Sequence, residues 1–206
     1  MILFFEFLPF ANSEYICRRM KQTTINEDGK YEVLESKYLI QRPWLTARLD
    51  SAKLPDGRLV PEYYVLEYPD WINVIAITED GQMIMERQYR HAIGKTAFEL
   101  PCGVIEKGEE PLAAAKRELQ EETGYGEGSW TPLMSGCPNP GSMSNSCYSF
   151  LATDVKKISG QSLDATEDLS VHLLSPEYVK QLLVDGEILQ ILHAAPLWKF
   201  FALQGK

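Results

Sequence analysis

The chain has 206 residues, with 20 Lys and Arg against 29 Asp and Glu, a formal net charge of −9. Hydrophobic residues make up 45% and charged residues 24%, the balance of a globular chain that buries a core, so wholesale disorder is excluded and one sizeable domain plus a short arm is expected. The acidic balance speaks against a nucleic-acid partner, and no apolar run approaches the roughly 18 residues of a membrane helix.

Residues 1–11 are apolar but broken by Glu6 and Pro9, with neither a basic start nor a small-residue cleavage site, so they do not read as a signal peptide. Residues 1–20 are taken as an N-terminal extension without an assigned role. Residues 21–66 read as a β-rich arm and residues 67–206 as the main domain. From 31 to 90 the pattern is that of strands, with Asp56-Gly57 and Asp80-Gly81 as turn signals. The run from Trp71 to Thr78 is nearly continuous and apolar, as in a strand buried on both faces. Residues 111–123 predict a helix that opens on Pro111 and stops at Gly124. Strands are expected again at 130–134, 147–152 and 170–174. A Gly/Pro/Ser/Asn loop lies at 136–145 and an acidic loop at 164–168. Ser175-Pro176-Glu177 starts a helix that stops near Gly186, and 188–203 has helical apolar spacing. Strands interleaved with a few helices imply an α/β layered domain. Cys17, Cys102, Cys137 and Cys147 form no CxxC pair, and His91, His172 and His193 are scattered. No zinc site is readable, and reduced cytoplasmic thiols are the reading.

The segment GVIEKGEEPLAAAKRELQEETGY, residues 103–125, carries the chemistry. On a helical wheel at about 100° per residue, Leu112, Ala115, Leu119 and Thr123 fall on the core side. Glu118, Glu121 and Glu122 fall opposite, within an arc of roughly 100°. Carboxylates at i, i+3 and i+4 repel one another unless cations gather there, and hard divalent cations take oxygen ligands. Arg117 stands beside them and offsets part of the charge. Taken alone, the three glutamates fit a solvated acidic face better, since charge runs usually are one.

The wider spacing decides between these. Gly103, five residues, Glu109, seven residues, then Arg117-Glu118-Leu119-x-Glu121-Glu122-x-Gly124 resembles the Nudix box at every fixed position. At average residue usage of about one in fifteen, seven such matches arise by chance at roughly one in a million. The resemblance implies an α/β/α sandwich with a mixed sheet, preceded by the β-rich arm. It implies hydrolysis of a nucleoside diphosphate linked to a second moiety, with Mg²⁺ or Mn²⁺ held by Glu118, Glu121, Glu122 and the carbonyl of Cys102. The Cys102 thiol is then incidental, since Mg²⁺ prefers oxygen to sulfur. Arg117 and Glu121 join the catalytic set.

The flanks narrow the subfamily. Glu99-Leu100-Pro101-Cys102-Gly103 resembles the lead-in of ADP-ribose and nucleoside-diphosphate-sugar pyrophosphatases, and Gln88-Tyr89-Arg90 resembles their QYR segment. By that likeness Arg90 and Glu99 belong to the substrate site. Pro140, fifteen residues beyond Tyr125, and the following Gly141-Ser142 resemble the loop that shapes the rim around the terminal ribose. Glu167, in Thr166-Glu167-Asp168, matches the family's loop glutamate, a general base or metal contact; Asp164 and Asp168 are close alternatives, and a box glutamate such as Glu121 another. Trp44 and Arg48 occupy the arm stretch from which an aromatic stacks on the base, across a homodimer. The expected reaction is ADP-ribose to AMP and ribose 5-phosphate. GDP-mannose or another nucleotide sugar is the alternative substrate, and a non-catalytic ligand sensor the alternative class.

Overall fold

The structure is a computed structural model and describes residues 29–204. The extension 1–20, with Cys17, lies outside the described residues. The arm contributes β1 (Glu32–Arg42), β2 (Leu45–Lys53) and β3 (Leu59–Glu67), a three-stranded sheet in the order β1-β2-β3. The turn between β2 and β3 is the expected Asp-Gly one. Gly57 takes a φ of 89°, and its N–H donates to the Leu54 carbonyl at 2.9 Å. By contacts the described residues divide into two compact units, one with residues 29–37 and 49–63, the other with 38–48 and 64–204.

The second unit is built on β4 (Trp71–Thr78), β5 (Met83–Arg90), β6 (Lys95–Glu99), β7 (Cys102–Val104), β8 (Tyr125–Gly126), β9 (Ser129–Gly136), β10 (Cys147–Lys157) and β11 (Leu169–Leu174). Their order is β11-β5-β4-β10-β8, with β6 on β5, β7 on β4 and β9 on β10. β4 and β10 run parallel, whereas β5, β6, β7, β9 and β11 join antiparallel, so the sheet is mixed.

Alternation along each strand sorts side chains to the two faces. Ile72, Val74 and Ala76 of β4, Ile84 of β5 and Phe150 and Ala152 of β10 pack with Ala114, Ala115 and Leu119 of α1 (Pro111–Glu118) and the wider turn that follows it. Ile75 and Ile77, Met83 and Met85, and Leu151 point the other way. There they meet Val179, Leu182 and Leu183 of α2 (Pro176–Val184) and Leu197 and Phe200 of α3 (Ile191–Gln204). Helices therefore cover both faces of the sheet, the α/β/α sandwich expected. Among the described residues no helix is long and apolar enough to cross a membrane.

Local chemistry sets the helix ends. The Ser175 hydroxyl accepts the Tyr178 N–H at 3.2 Å at the start of α2, with Pro176 in the first turn. The expected single helix 111–123 is α-helical only to Glu118; Leu119–Thr123 form a π turn, closed by Gly124 at φ 73°. A side chain at 124 would also meet the Ser159 carbonyl oxygen at 2.3 Å. The wheel needs two corrections. Leu112, expected in the core, is 38% exposed, because it overhangs in the first turn while Ala114 and Ala115 make the contact. Glu122, expected opposite the core, is 5% exposed, because the π turn breaks the 100° phase and brings it inward.

Candidate active site

Gly103 lies on β7, paired with Ile72 of β4, and a Cβ there would stand 2.1 Å from the Glu118 carboxyl. The glycine is what allows the helix carboxylate to close against the strand. Burial raises the Glu118 carboxyl to about 7, with Arg117 opposing and Glu121 and Glu167 adding to the rise. Arg117 is a hub. Its Nε and Nη2 donate to the two oxygens of Glu109, each at 3.0 Å, and Nη2 also reaches the Val104 carbonyl at 3.1 Å. Nη1 donates to Glu118 at 2.8 Å and to Glu121 at 3.1 Å. The guanidinium fork thus fixes three box carboxylates, and its hydrogen bond lowers the Glu109 carboxyl below the usual range.

Beneath Glu118 lies a more deeply buried pair. Glu122 Oε2 accepts the Cys102 N–H at 2.9 Å. Glu86 of β5 is 3% exposed and lies against Glu122 within hydrogen-bonding reach. Burial first, then the charge of neighbouring carboxylates (Glu99 and Glu167 on Glu86, Glu86 on Glu122), raises both carboxyls well above the usual range. Glu167 adds to the rise on Glu86, Glu118 and Glu122 alike, which puts its carboxylate near all three. Its Oε2 also accepts the Asp164 N–H at 2.8 Å, which folds the acidic loop around it, while Asp164 and Asp168 are exposed. The Cys102 thiol is pushed well above its usual value by burial and by the surrounding carboxylates, which favours the thiol over the thiolate.

On the neighbouring strands, Arg90 clasps Glu99. Nε donates to Oε1 at 2.8 Å and Nη2 to Oε2. Glu99 is buried and Arg90 half-buried beside a cavity of about 320 Å³ that Trp71 and Ala97 also line. Folding brings Glu99, Cys102 and His193 together, with ligand atoms within 4.8 Å of one another, a grouping that their scatter in the sequence hid. These groups already have partners: His193 Nδ1 accepts the Leu100 N–H at 3.3 Å, and Nε2 lies 2.7 Å from Gln190 Oε1. Burial lowers His193 to about 4, so it is neutral.

The remaining expected residues lie further out. Gly141 and Ser142 sit in a loop strapped to the end of β3: the Leu66 N–H donates to the Ser142 carbonyl at 2.7 Å, and Ser144 N–H to the Leu66 carbonyl at 3.2 Å. Asn145 Nδ2 reaches the Pro69 carbonyl at 3.0 Å and anchors the same loop. Trp44, in the turn between β1 and β2, is 79% exposed. Arg48 is ion-paired to Glu67, which also accepts from the Tyr38 hydroxyl at 3.2 Å.

Two residues of the cluster escaped the sequence reading. Glu86 looked like part of a charged strand end, although alternation after buried Ile84 was the available signal for an inward position. Glu109, a fixed box position, had no role until the Arg117 clasp gave it one.

The donors fit a hard divalent cation: they are oxygens, they converge, and the Glu86 Oε1 is buried without a hydrogen-bond partner. Two family models match the chain, the Nucleoside diphosphate sugar hydrolase N-terminal domain over residues 31–66 and the NUDIX domain over residues 68–190. The chain is 31% identical to an ADP-ribose pyrophosphatase of Bacillus subtilis (strain 168) over 68% of its length and 76% of the relative's. It is 32% identical to a methanol dehydrogenase activator of Bacillus methanolicus, again over 68% and 76%. A crystal structure of an ADP compounds hydrolase has the same fold, with a TM-score of 0.75 and 21% identity over 85% of this chain and 95% of that one. With the box on one platform and its glutamates converging, these matches place the chain in the Nudix family of hydrolases, whose members in general need a divalent metal ion.

Proposed function

We propose that the chain is a Mg²⁺-dependent pyrophosphatase of nucleoside diphosphate sugars that converts ADP-ribose to AMP and ribose 5-phosphate. The observation that carries this reading is the convergence of Glu118, Glu122 and Glu167 on a platform that Arg117 locks from one side. The ADP-ribose pyrophosphatase activity of the Bacillus subtilis relative, together with the matched N-terminal domain of nucleoside diphosphate sugar hydrolases, supports an ADP-linked substrate.

Glu118, Glu121 and Glu122 hold the cation, with the Cys102 carbonyl beside them. When bound, it neutralises the diphosphate and lowers the pKa of a coordinated water. Glu167 takes the proton of the attacking water. It is nearer the buried carboxyls than exposed Asp164 or Asp168, which favours it over both. Arg90, held in place by Glu99, faces the substrate phosphates from the cavity. Gly141 and Ser142 form the rim over the terminal ribose. Trp44, with Arg48 near it, stacks on the base of a nucleotide bound by a second copy of the chain. β1 is exposed along all eleven residues, with Val33, Leu34, Tyr38, Leu39 and Ile40 among them, which supports a homodimer built through the arm. Residues 21–66 then serve assembly and 67–206 catalysis, in the cytoplasm.

A panel of ADP-ribose, GDP-mannose, UDP-glucose and other nucleotide sugars, assayed with Mg²⁺, tests the proposal. ADP-ribose should give the highest kcat/KM. Preference for another sugar nucleotide would move the substrate but keep the chemistry. No turnover of any of them would leave the regulatory role suggested by the name of the Bacillus methanolicus relative.

A further inference from the structure

Glu86 lies outside the box, on a strand, yet ends in the same cluster. The residue two before it, Ile84, packs on Ala114, Ala115 and Leu119. Alternation carries Glu86 to the same face, just past the apolar contact, under the turn that presents Glu122. Its strand neighbours are Val171 of β11 on one side and Glu99 of β6 on the other. Neither Glu86 nor Glu122 forms a salt bridge among the described residues, because Arg117 is committed to Glu109, Glu118 and Glu121, and Arg90 to Glu99.

The neighbour within hydrogen-bonding reach of the Glu86 carboxyl is Glu122, itself a carboxyl. Glu86 Oε1 is fully enclosed and has no hydrogen-bond partner. A buried carboxylate oxygen is rarely left in that state, because its desolvation is uncompensated. The surroundings are rich in carboxyls and poor in donors: Glu99 and Glu167 act on Glu86 through their charge and Glu122 through a hydrogen bond, and Arg90, the nearest cation, is held by Glu99. A hard cation fits such a position, since it takes lone pairs from several carboxylates at once.

We propose that Glu86 is a ligand of the divalent-cation site, so that the site is built from a sheet carboxylate together with the helix carboxylates of the box. This rests on the reading of Glu118 and Glu122 as cation ligands. Glu86 and Glu122 would then share one cation, and β5 would be tied through it to the turn after α1. Metal binding and the packing of β5 against α1 become one event.

The test is Mn²⁺ binding to the full-length chain without nucleotide, by titration calorimetry, with stoichiometry read by electron paramagnetic resonance. Wild type, Glu86→Gln and Glu86→Asp are compared with Glu79→Gln, a change at an exposed residue on the β4–β5 turn. Glu86→Gln should weaken Mn²⁺ binding at least tenfold or remove one ion from the stoichiometry, while Glu79→Gln binds like wild type. Unchanged affinity and stoichiometry in Glu86→Gln would overturn the proposal and leave Glu86 as a proton-sharing partner of Glu122. If Glu86→Gln does not fold, as judged by circular dichroism, Glu86→Asp decides. It keeps the charge but retracts the oxygens, so weakened binding supports ligation and wild-type binding contradicts it. Wild type that binds Mn²⁺ but hydrolyses no nucleotide sugar would sink the proposed function alone. Wild type that binds no Mn²⁺ would sink this inference too.

Discussion

Glu122 Oε2 and the Cys102 N–H are 2.9 Å apart, twenty residues distant in sequence. That bond ties the π turn after α1 to β7, and Glu86 lies against the same carboxyl. The box glutamate therefore has a structural half and a chemical half.

Substitution can separate the two. Glu122→Gln keeps an acceptor for the Cys102 N–H and gives Glu86 a donor. It removes the charge a cation needs. Activity should fall by a factor of hundreds or more, while the melting temperature holds or rises because a neutral amide is less costly to bury there than an ionisable carboxyl crowded by others. Near-normal turnover in saturating Mg²⁺ would take Glu122 out of the ligand set.

Glu167→Gln should lower kcat by roughly 10²- to 10⁴-fold and leave KM within a few-fold, as expected of a proton acceptor that acts in the transition state. Asp164→Asn and Asp168→Asn should be mild, since both residues are exposed. A severe Asp168→Asn beside a mild Glu167→Gln would reassign the base.

Arg117→Lys keeps the charge and loses the fork. A single ammonium cannot hold both oxygens of Glu109 while also reaching Glu118 and Glu121. The Mg²⁺ concentration for half-maximal activity should rise about 10- to 100-fold, with kcat recovering in part at saturating metal. An unshifted Mg²⁺ curve would count against Arg117 as the positioning group.

His193 links stability to pH. Burial depresses it in the folded chain to about 4, against 6.5 for an ordinary histidine. Its contribution is therefore complete above pH 6.5 and is lost as pH falls through the window down to 4, by up to about 3 kcal/mol. Urea unfolding at pH 7 and pH 4.5 should show the loss in wild type and a smaller loss in His193→Gln. Equal losses in the two proteins would assign the acid sensitivity to other groups.

Trp44→Ala should raise KM for ADP-ribose far more than it lowers kcat, because stacking on a remote base is felt about equally in the ground and transition states. Light scattering should report a dimer. A fully active monomer would remove the trans contact, and an unchanged KM would make Trp44 a surface residue only.

The box was legible because its spacing is set by one loop and one helix, and Gly103, Glu109, Arg117, Glu118 and Glu122 all enter the cluster that spacing foretells. The two-sided burial of β4 and the caps at Ser175 and Gly124 were legible for similarly local reasons. Glu122's inward turn was not, because a wheel at fixed pitch has no term for a π turn. Glu86 became visible only through register: β5 lies between β11 and β6, and those pairings decide what a strand glutamate faces. The Glu99–Cys102–His193 grouping needed α3 to return to the sheet about ninety residues after the box lead-in, a contact with no local signature. The short strands β6, β7 and β8 carry too few residues for alternation to show.

The central claim is that this carboxylate cluster cleaves the diphosphate of ADP-ribose with a divalent cation. Its most direct test is product analysis by ³¹P NMR after incubation of the metal-stripped chain with ADP-ribose, with and without added Mg²⁺. The account predicts AMP and ribose 5-phosphate in equal amounts, formed only when Mg²⁺ is added. Turnover that persists without the cation, or release of ADP and free ribose, would contradict it.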